Sequence, residues 1–247
     1  FGSTGIGSIP HVAGLALGAA PALSQTKYQN EYRLSTVVGT AFPWGKAGER
    51  WGELVKQRTD GRINIKMYPG TSLVAGDQTR EFTAIRQGVI DLAIGSTINW
   101  SPQIKELNLF SLPFLMPDYK AIDALTGGEA AIDALTQGPV GKDIFARLER
   151  AGVVPLAWGE NGFREVTNSK RALRKPEDFK GLKFRVGGGM VNEISKSLGM
   201  NVTLKPAPES YELLSSGVMD GTLFPAESVE SFKLDKTVKY ATSFPGG

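Results

Sequence analysis

Along this chain, short runs of alternating apolar and polar residues are separated by stretches in which apolar residues recur with helical spacing. "EYRLSTVVG" (31–39) is rich in β-branched residues and reads as a first strand, with "AFPWGKAG" as the loop after it. From Lys46 to Arg58 the apolar residues Ala47, Trp51, Leu54 and Val55 fall on one helical face, and Asp60–Gly61 ends the helix. "RINIKMYPG" alternates as a second strand, a helix covers Thr79 to Gln87, and "VIDLAIGS" forms a third strand. The apolar, proline-broken "LNLFSLPFLMPD" (107–118) reads as buried extended structure. Two Ala- and Leu-rich helices follow at roughly 119–126 and 140–150, then a buried strand "GVVPLAW" (152–158). "ENGFREVTNSKRALRKPEDFKG" is polar and turn-rich, and this shift marks a crossing between two lobes. Beyond it lie strand "GLKFRV", a helix near 190–198, strand "NVTLK", helix "ESYELLSS", and strands "VMDGTLFP" and "TVKYAT". Strands alternating with helices predict an α/β architecture.

One internal echo supports two lobes of similar construction. "AIRQGVIDLAIGS" (84–96) and "LLSSGVMDGTLFP" (213–225) share a helix end, Gly–Val–apolar–Asp, and a strand. Gly88 and Gly217 suit the left-handed residue that stops a helix. Asp91 and Asp220 then fall in the turn or on the polar side of the next strand. Ligands of open α/β sheets bind at the carboxyl ends of the strands. That rule gathers Ser96–Thr97, Trp158–Asn161, Arg185–Gly189 and Phe224–Pro225 around a shared cleft.

Composition narrows the chemistry. The chain of 247 residues is long enough for one large or two small domains, and 41% apolar with 21% charged residues is a globular balance. A net charge of +3 without a long basic run argues against nucleic acid as a partner. There is no cysteine, which excludes thiolate nucleophiles, disulfides and thiolate metal sites, and the single histidine is His11. His11 lies in a 26-residue stretch free of Lys, Arg, Asp and Glu, whose "VAGLALGAAPALS" has the apolar run and small-residue end of an export signal. We expect residues 1–26 to be a clipped leader, 27–160 a first α/β lobe and 161–247 a second, incomplete lobe. The chain stops at "ATSFPGG", directly after a strand, so truncation at the C-terminal side is expected. Without histidine or cysteine in the mature part, serine–histidine triads and most zinc chemistry fall away.

Individual candidates remain two-sided on the residues alone. "VGGGMV" lacks the spacing of a phosphate-binding loop and suits a flexible segment that allows close backbone approach. Glu177 and Asp178 follow Pro176 as at a solvated helix start. Trp51 belongs to a core-facing helix. Trp44, Trp100 and Trp158 follow or end strands, where they either form an aromatic wall for a ligand or pack as core. Arg164 is either a surface residue of a basic stretch or part of the cleft. Arg185, in "GLKFRVGGG", is either a solvated strand residue or a guanidinium placed to grip an anion.

The ordered segments resemble the solute receptors of tripartite ATP-independent periplasmic (TRAP) transporters, dicarboxylate-receptor type. The resemblance rests on "ELVKQRTDGRINIKMYPGTSL", "AIRQGVIDLAIGS", "LPFL", "FREVTNSKRALRKPEDFKGLKFRV" and "ELLSSGVMDG" with its following proline. It implies two α/β lobes closing on an organic acid and delivery to membrane subunits; we further expect a periplasmic location, a monomer, no cofactor, no metal-ligating residue in the site and no enzymatic turnover. It also implies that Arg185 clamps the ligand carboxylate, since a planar guanidinium pairs bidentately where lysine offers a point charge. Arg164 corresponds to the family's second arginine. Where many members carry an Asn this chain has Phe224, and Ala207 stands where some place a pocket phenylalanine. These departures tilt the expectation from a sugar acid toward a less hydroxylated, aromatic or keto acid. The expected ligand-binding set is Arg185, Arg164, Phe224, Ser96, Trp44, Trp158 and Asn161. A ligand sensor without a transport role, or an enzyme on the same scaffold, are the rival expectations.

Overall fold

The computed structural model describes residues 31–113, 138–159 and 161–244. Its first sheet has three parallel strands in the order β2 (Ile65–Tyr68), β1 (Tyr32–Thr36), β3 (Leu92–Ile94). The central strand is enclosed on both faces: Leu34, Ser35 and Thr36 expose no surface. Helix α1 (Pro43–Arg58) crosses between β1 and β2. Pro43 in its first turn has φ already set for a helix, and Lys56 and Arg58 complement the partial negative charge of its last turn. Asp60 and Gly61, both at positive φ, turn the chain back.

The face by which α1 packs differs from the expected one. Its buried residues are Gly45, Gly48 and Gly52, whereas Ala47 is exposed and Trp51, Leu54 and Val55 are only half-buried. A Cβ on Gly48 would come within 3.1 Å of Ile94 Cδ1 and 3.3 Å of Leu34 Cδ2. Backbone thus lies almost directly on the sheet. Counting apolar side chains misses this because glycine contributes none.

Helix α2 (Glu81–Arg86) leads through Gly88 to β3, which is followed by the short α3 (Thr97–Trp100). Lys105–Ser111 is a 3-10 helix with Leu107 buried, not the extended segment the prolines suggested; residues 114–118 and the expected helix at 119–126 lie outside the described residues. Helix α4 (Pro139–Arg150) matches expectation. The expected strand at 152–158 does not form. Val153 is buried, but Val154 is 73% and Leu156 66% exposed, so the apolar run is not a two-sided core strand.

The second sheet has the order β6 (Asn201–Leu204), β5 (Lys183–Val186), β7 (Gly221–Pro225), β4 (Arg164–Asn168), β8 (Tyr240–Thr242). β5 runs parallel to β6 and β7, while β4 is antiparallel to both β7 and β8. Strand β4 lies inside the stretch whose polarity suggested only turns. Its polar residues are buried because they are satisfied: Thr167 Oγ1 donates to the Thr222 carbonyl. Asn168 Oδ1 accepts from the Lys170 and Arg171 amides. Helices α5 (Gly189–Ser197) and α6 (Ser210–Ser215) supply the crossovers, and α7 (Ala226–Ser231) follows β7.

The sequence echo has one geometry in both sheets. Gly88 and Gly217 take φ of 71° and 74°. The Asp91 carboxylate then accepts the Arg33 amide at 2.8 Å, and the Asp220 carboxylate accepts the Lys183 amide at 2.9 Å. In return, the Asp91 and Asp220 amides donate to the carbonyls of those same residues. Each aspartate therefore brackets the start of the neighbouring parallel strand.

Candidate functional site

The carboxyl ends of β1, β3, β5 and β7 converge on one cavity, to which Val37, Ser96, Gly187 and Phe224 contribute. Because β4 is antiparallel, its beginning reaches the same edge; Arg164 pairs with Pro225 across the ladder. Of the seven residues expected from sequence, Arg185, Arg164, Phe224, Ser96, Trp44 and Asn161 all line this cavity. Trp158 does not. Its ring lies 5.0 Å from Phe110 and 5.1 Å from Phe145, packed on the cluster that holds Phe82, Leu107 and Ile144. The absence of a strand at 152–158 explains the difference, since there is no strand end to carry Trp158 to the sheet edge.

Arg185 is 2% exposed, which rules out a solvated strand residue. Its Nε donates to the Lys205 carbonyl at 2.8 Å, and its guanidinium carbon stands 5.0 Å from the centre of the Phe224 ring. Those contacts fix the plane of the fork and leave both terminal nitrogens without a hydrogen-bond partner among the described residues. Arg164 is held by a bond from Nη1 to the Leu223 carbonyl at 3.1 Å. No carboxylate lies within ion-pair distance of either arginine among the described residues. Glu227 lines the cavity, but its oxygens accept from the Ser228 and Ser231 hydroxyls.

The electrostatic consequence is visible in both cations. Desolvation pushes the Arg164 guanidinium below its ordinary value, to about 10. Arg185 is pushed down to about 9, first by burial and then by the Arg164 charge, with Glu209 pulling the other way. A buried cation with a half-buried one beside it and no ion-pair partner is costly, and an anion between them relieves that cost.

Its other walls are mainly apolar. Phe224, 7% exposed, both lines the cavity and packs in a core cluster with Val38, Leu214 and Leu234, so cavity wall and core are the same residue here. Phe232 joins Phe224 at 5.2 Å to Phe42 at 4.5 Å, linking the second sheet's cavity wall to the loop that starts α1. Trp44 donates its indole N–H to the Ile94 carbonyl at 3.1 Å. Ser96 is committed to capping α3 through the Ile98 amide. The glycine run after β5 serves close approach: a Cβ on Gly189, at φ 58°, would stand 2.6 Å from Ser101 Oγ. Gln78 and Asn99 also line the cavity, from the first sheet's side. Sequence reasoning passed over both. The signal for Gln78 was its place at a helix start, just after Asp77, facing the strand ends.

Among the described residues no cluster of three His, Cys, Asp or Glu side chains is placed to hold a metal ion. No helix among them is long and apolar enough to cross a membrane.

Two α/β sheets sharing a cavity at their strand ends, with paired arginines in it, define a solute-binding fold. Residues 34–244 match the family model of bacterial extracellular solute-binding protein, family 7 (DctP), and the chain belongs to that family. The resemblance to TRAP-type receptors is thereby borne out. The chain is 30% identical over 212 residues to the C4-dicarboxylate-binding periplasmic protein DctP of Rhodobacter capsulatus, covering 85% of this chain and 60% of that protein. It superposes with a TM-score of 0.79 and 62% identity on a TRAP periplasmic solute binding protein from Ralstonia eutropha H16 with bound (S)-2-acetolactate. That match covers 87% of this chain and 66% of the other. A receptor from Sulfitobacter sp. NAS-14.1 with bound β-D-galacturonate superposes at 0.74 with 26% identity, over 85% of this chain and 67% of its own. The chain thus spans about two thirds or less of the length of the first two relatives.

Proposed function

We propose that this chain is the ligand-binding part of an extracytoplasmic receptor that holds a small organic acid by its carboxylate and delivers it to the membrane subunits of a TRAP-type transporter. Buried Arg185, with half-buried Arg164 beside it and neither in an ion pair among the described residues, carries the reading. The ligand lies between a first lobe, residues 27–160, and a second, 161–247. Arg185 takes the carboxylate with its two free terminal nitrogens, and Arg164 adds charge beside it. Phe224 and Trp44 bound the ligand's body, with Ser96 and Asn161 at the rim. The receptor acts in the periplasm as a monomer, without cofactor or metal, and releases its ligand unchanged. Its single histidine, His11, lies outside the described residues, and no cysteine is present to supply a nucleophile.

A compact keto acid of the 2-acetolactate type suits the cavity better than a sugar acid. Support comes from the Ralstonia eutropha protein that carries this ligand at 62% identity, and from the apolar face Phe224 presents. Titration calorimetry against (S)-2-acetolactate, succinate and galacturonate tests it. Arg185→Ala is expected to weaken acetolactate binding by roughly 2–5 kcal/mol, and Arg185→Lys to weaken it also, since a point charge cannot reproduce the fork. Near-native affinity in a folded Arg185→Ala protein would overturn the clamp. Turnover of the bound acid would favour an enzyme instead.

A further inference from the structure

We infer that Asn99 accepts a hydrogen bond from a hydroxyl on the ligand carbon next to the carboxylate, so that the cavity selects 2-hydroxy acids. This deepens the receptor function proposed above and rests on it. Asn99 is 5% exposed and lines the cavity. Its Nδ2 donates to Gln78 Oε1 at 2.9 Å, a buried bond that fixes which way the amide points. Oδ1 accepts no hydrogen bond among the described residues, yet it is not sealed off as Gln78 Nε2 is; it keeps surface open. What Asn99 offers to the cavity is therefore an acceptor.

That acceptor stands beside the clamp. A Cβ built on Gly187 would lie 3.5 Å from Asn99 Oδ1 and 3.9 Å from Arg185 Nη2, and would meet no other atom within 4 Å beyond its own chain neighbours. The glycine thus leaves a gap with an acceptor on one side and a cationic donor on the other. A ligand entering it is oriented by what it carries at each end. Its carboxylate belongs on Nη2, because a carboxylate oxygen against Oδ1 would set two acceptors face to face. The group on the adjoining carbon then meets Oδ1. A hydroxyl brings the proton that Oδ1 lacks. An oxo group brings only lone pairs, and a bare methylene leaves the amide oxygen dehydrated and unpaired. Sites whose polar groups would be left unpaired reject such analogues. An ammonium could donate, but it would add a third cation to a cavity already lined by Arg185 and Arg164.

The test is displacement calorimetry against (S)-2-acetolactate with four acids of one carbon skeleton: 2-hydroxy-3-methylbutanoate, 3-methyl-2-oxobutanoate, 3-methylbutanoate and 2-amino-3-methylbutanoate. The unaltered chain should bind the better enantiomer of the hydroxy acid about tenfold more tightly than the oxo or the unsubstituted acid, the size expected for one hydrogen bond in an enclosed site. The amino acid should bind more weakly still. Asn99→Ala should bring the ratio of hydroxy to unsubstituted acid near one. Gly187→Ala should do the same by covering Oδ1. Its backbone is not left-handed and its Cβ clashes with nothing, so its ratio decides the matter if the Asn99 variant fails to fold. Equal affinity for the hydroxy and unsubstituted acids, a preference for the oxo acid, or a hydroxy preference that survives both substitutions overturns the role of Asn99 and leaves the receptor standing. If acetolactate itself does not bind the unaltered chain, the keto-acid reading of the receptor falls, and this inference with it.

Discussion

Glu81 shows what enclosure does to a single residue. It exposes no surface, and its carboxylate accepts from Ser35 Oγ at 2.6 Å and Trp100 Nε1 at 3.1 Å. Burial outweighs both bonds and raises its pKa from 4.5 to about 7. The folded state thus holds a proton that the unfolded chain gives up. Its stabilising effect is complete below pH 4.5 and is lost as pH rises through about 7. The loss amounts to roughly 3 kcal/mol at 1.36 kcal/mol per unit. Glu81→Gln should flatten the dependence of thermal unfolding on pH over that window, and should raise stability above about pH 8. An unchanged slope in the variant would mean that another group carries it. The arginines were easier to see from sequence than Glu81 or Gln78. A charged residue beside a glycine run is conspicuous in a string of letters, whereas enclosure of a carboxyl or an amide depends on segments far away in the chain.

At the scale of elements, α1 and β4 mark where the sequence pattern works and where it stops working. Alternation located β1, β2, β3, β5, β6 and β7 because each has one or two apolar faces to bury. Strand β4 escaped, since its burial is achieved by hydrogen-bonding Thr167 and Asn168 rather than by hydrophobicity. The segment 152–158 erred the other way, reading as core while Val154 and Leu156 face outward. In α1 the boundaries were legible but the packing face was not. Its glycines make a graded test. Gly45→Ala should cost about 3 kcal/mol despite alanine's better helix propensity, because the new Cβ would fall on the Gly39 carbonyl oxygen, 2.0 Å away. Gly52→Ala, with Ile65 no nearer than 3.4 Å, should be neutral or gain up to about 1 kcal/mol. Chemical denaturation of the two variants checks both, and equal effects would show that the loop at Gly39–Thr40 can yield.

For the molecule as a whole, the repeated Gly–Val–apolar–Asp bracket aligns the strand ends of each sheet, and the convergence of those ends makes the cavity. The sequence carried this much, because a short repeat with a fixed role is preserved in the letters. It could not show that the Phe42–Phe232–Phe224 contacts tie the two sheets together at the clamp, since Phe42 lies far along the chain from the other two. The unneutralised arginine pair has a further consequence outside equilibrium binding. A buried cation and a half-buried one in a low-dielectric cleft focus their field toward its mouth, and a passing anion is drawn in before it makes any contact. Capture should therefore be fast and sensitive to ionic strength. Stopped-flow association should slow several-fold between about 10 mM and 300 mM salt, as the screening length shrinks from about 30 Å to well under 10 Å. Dissociation, governed by contacts already made, should change little. A receptor of this kind would work fastest where its surroundings are most dilute.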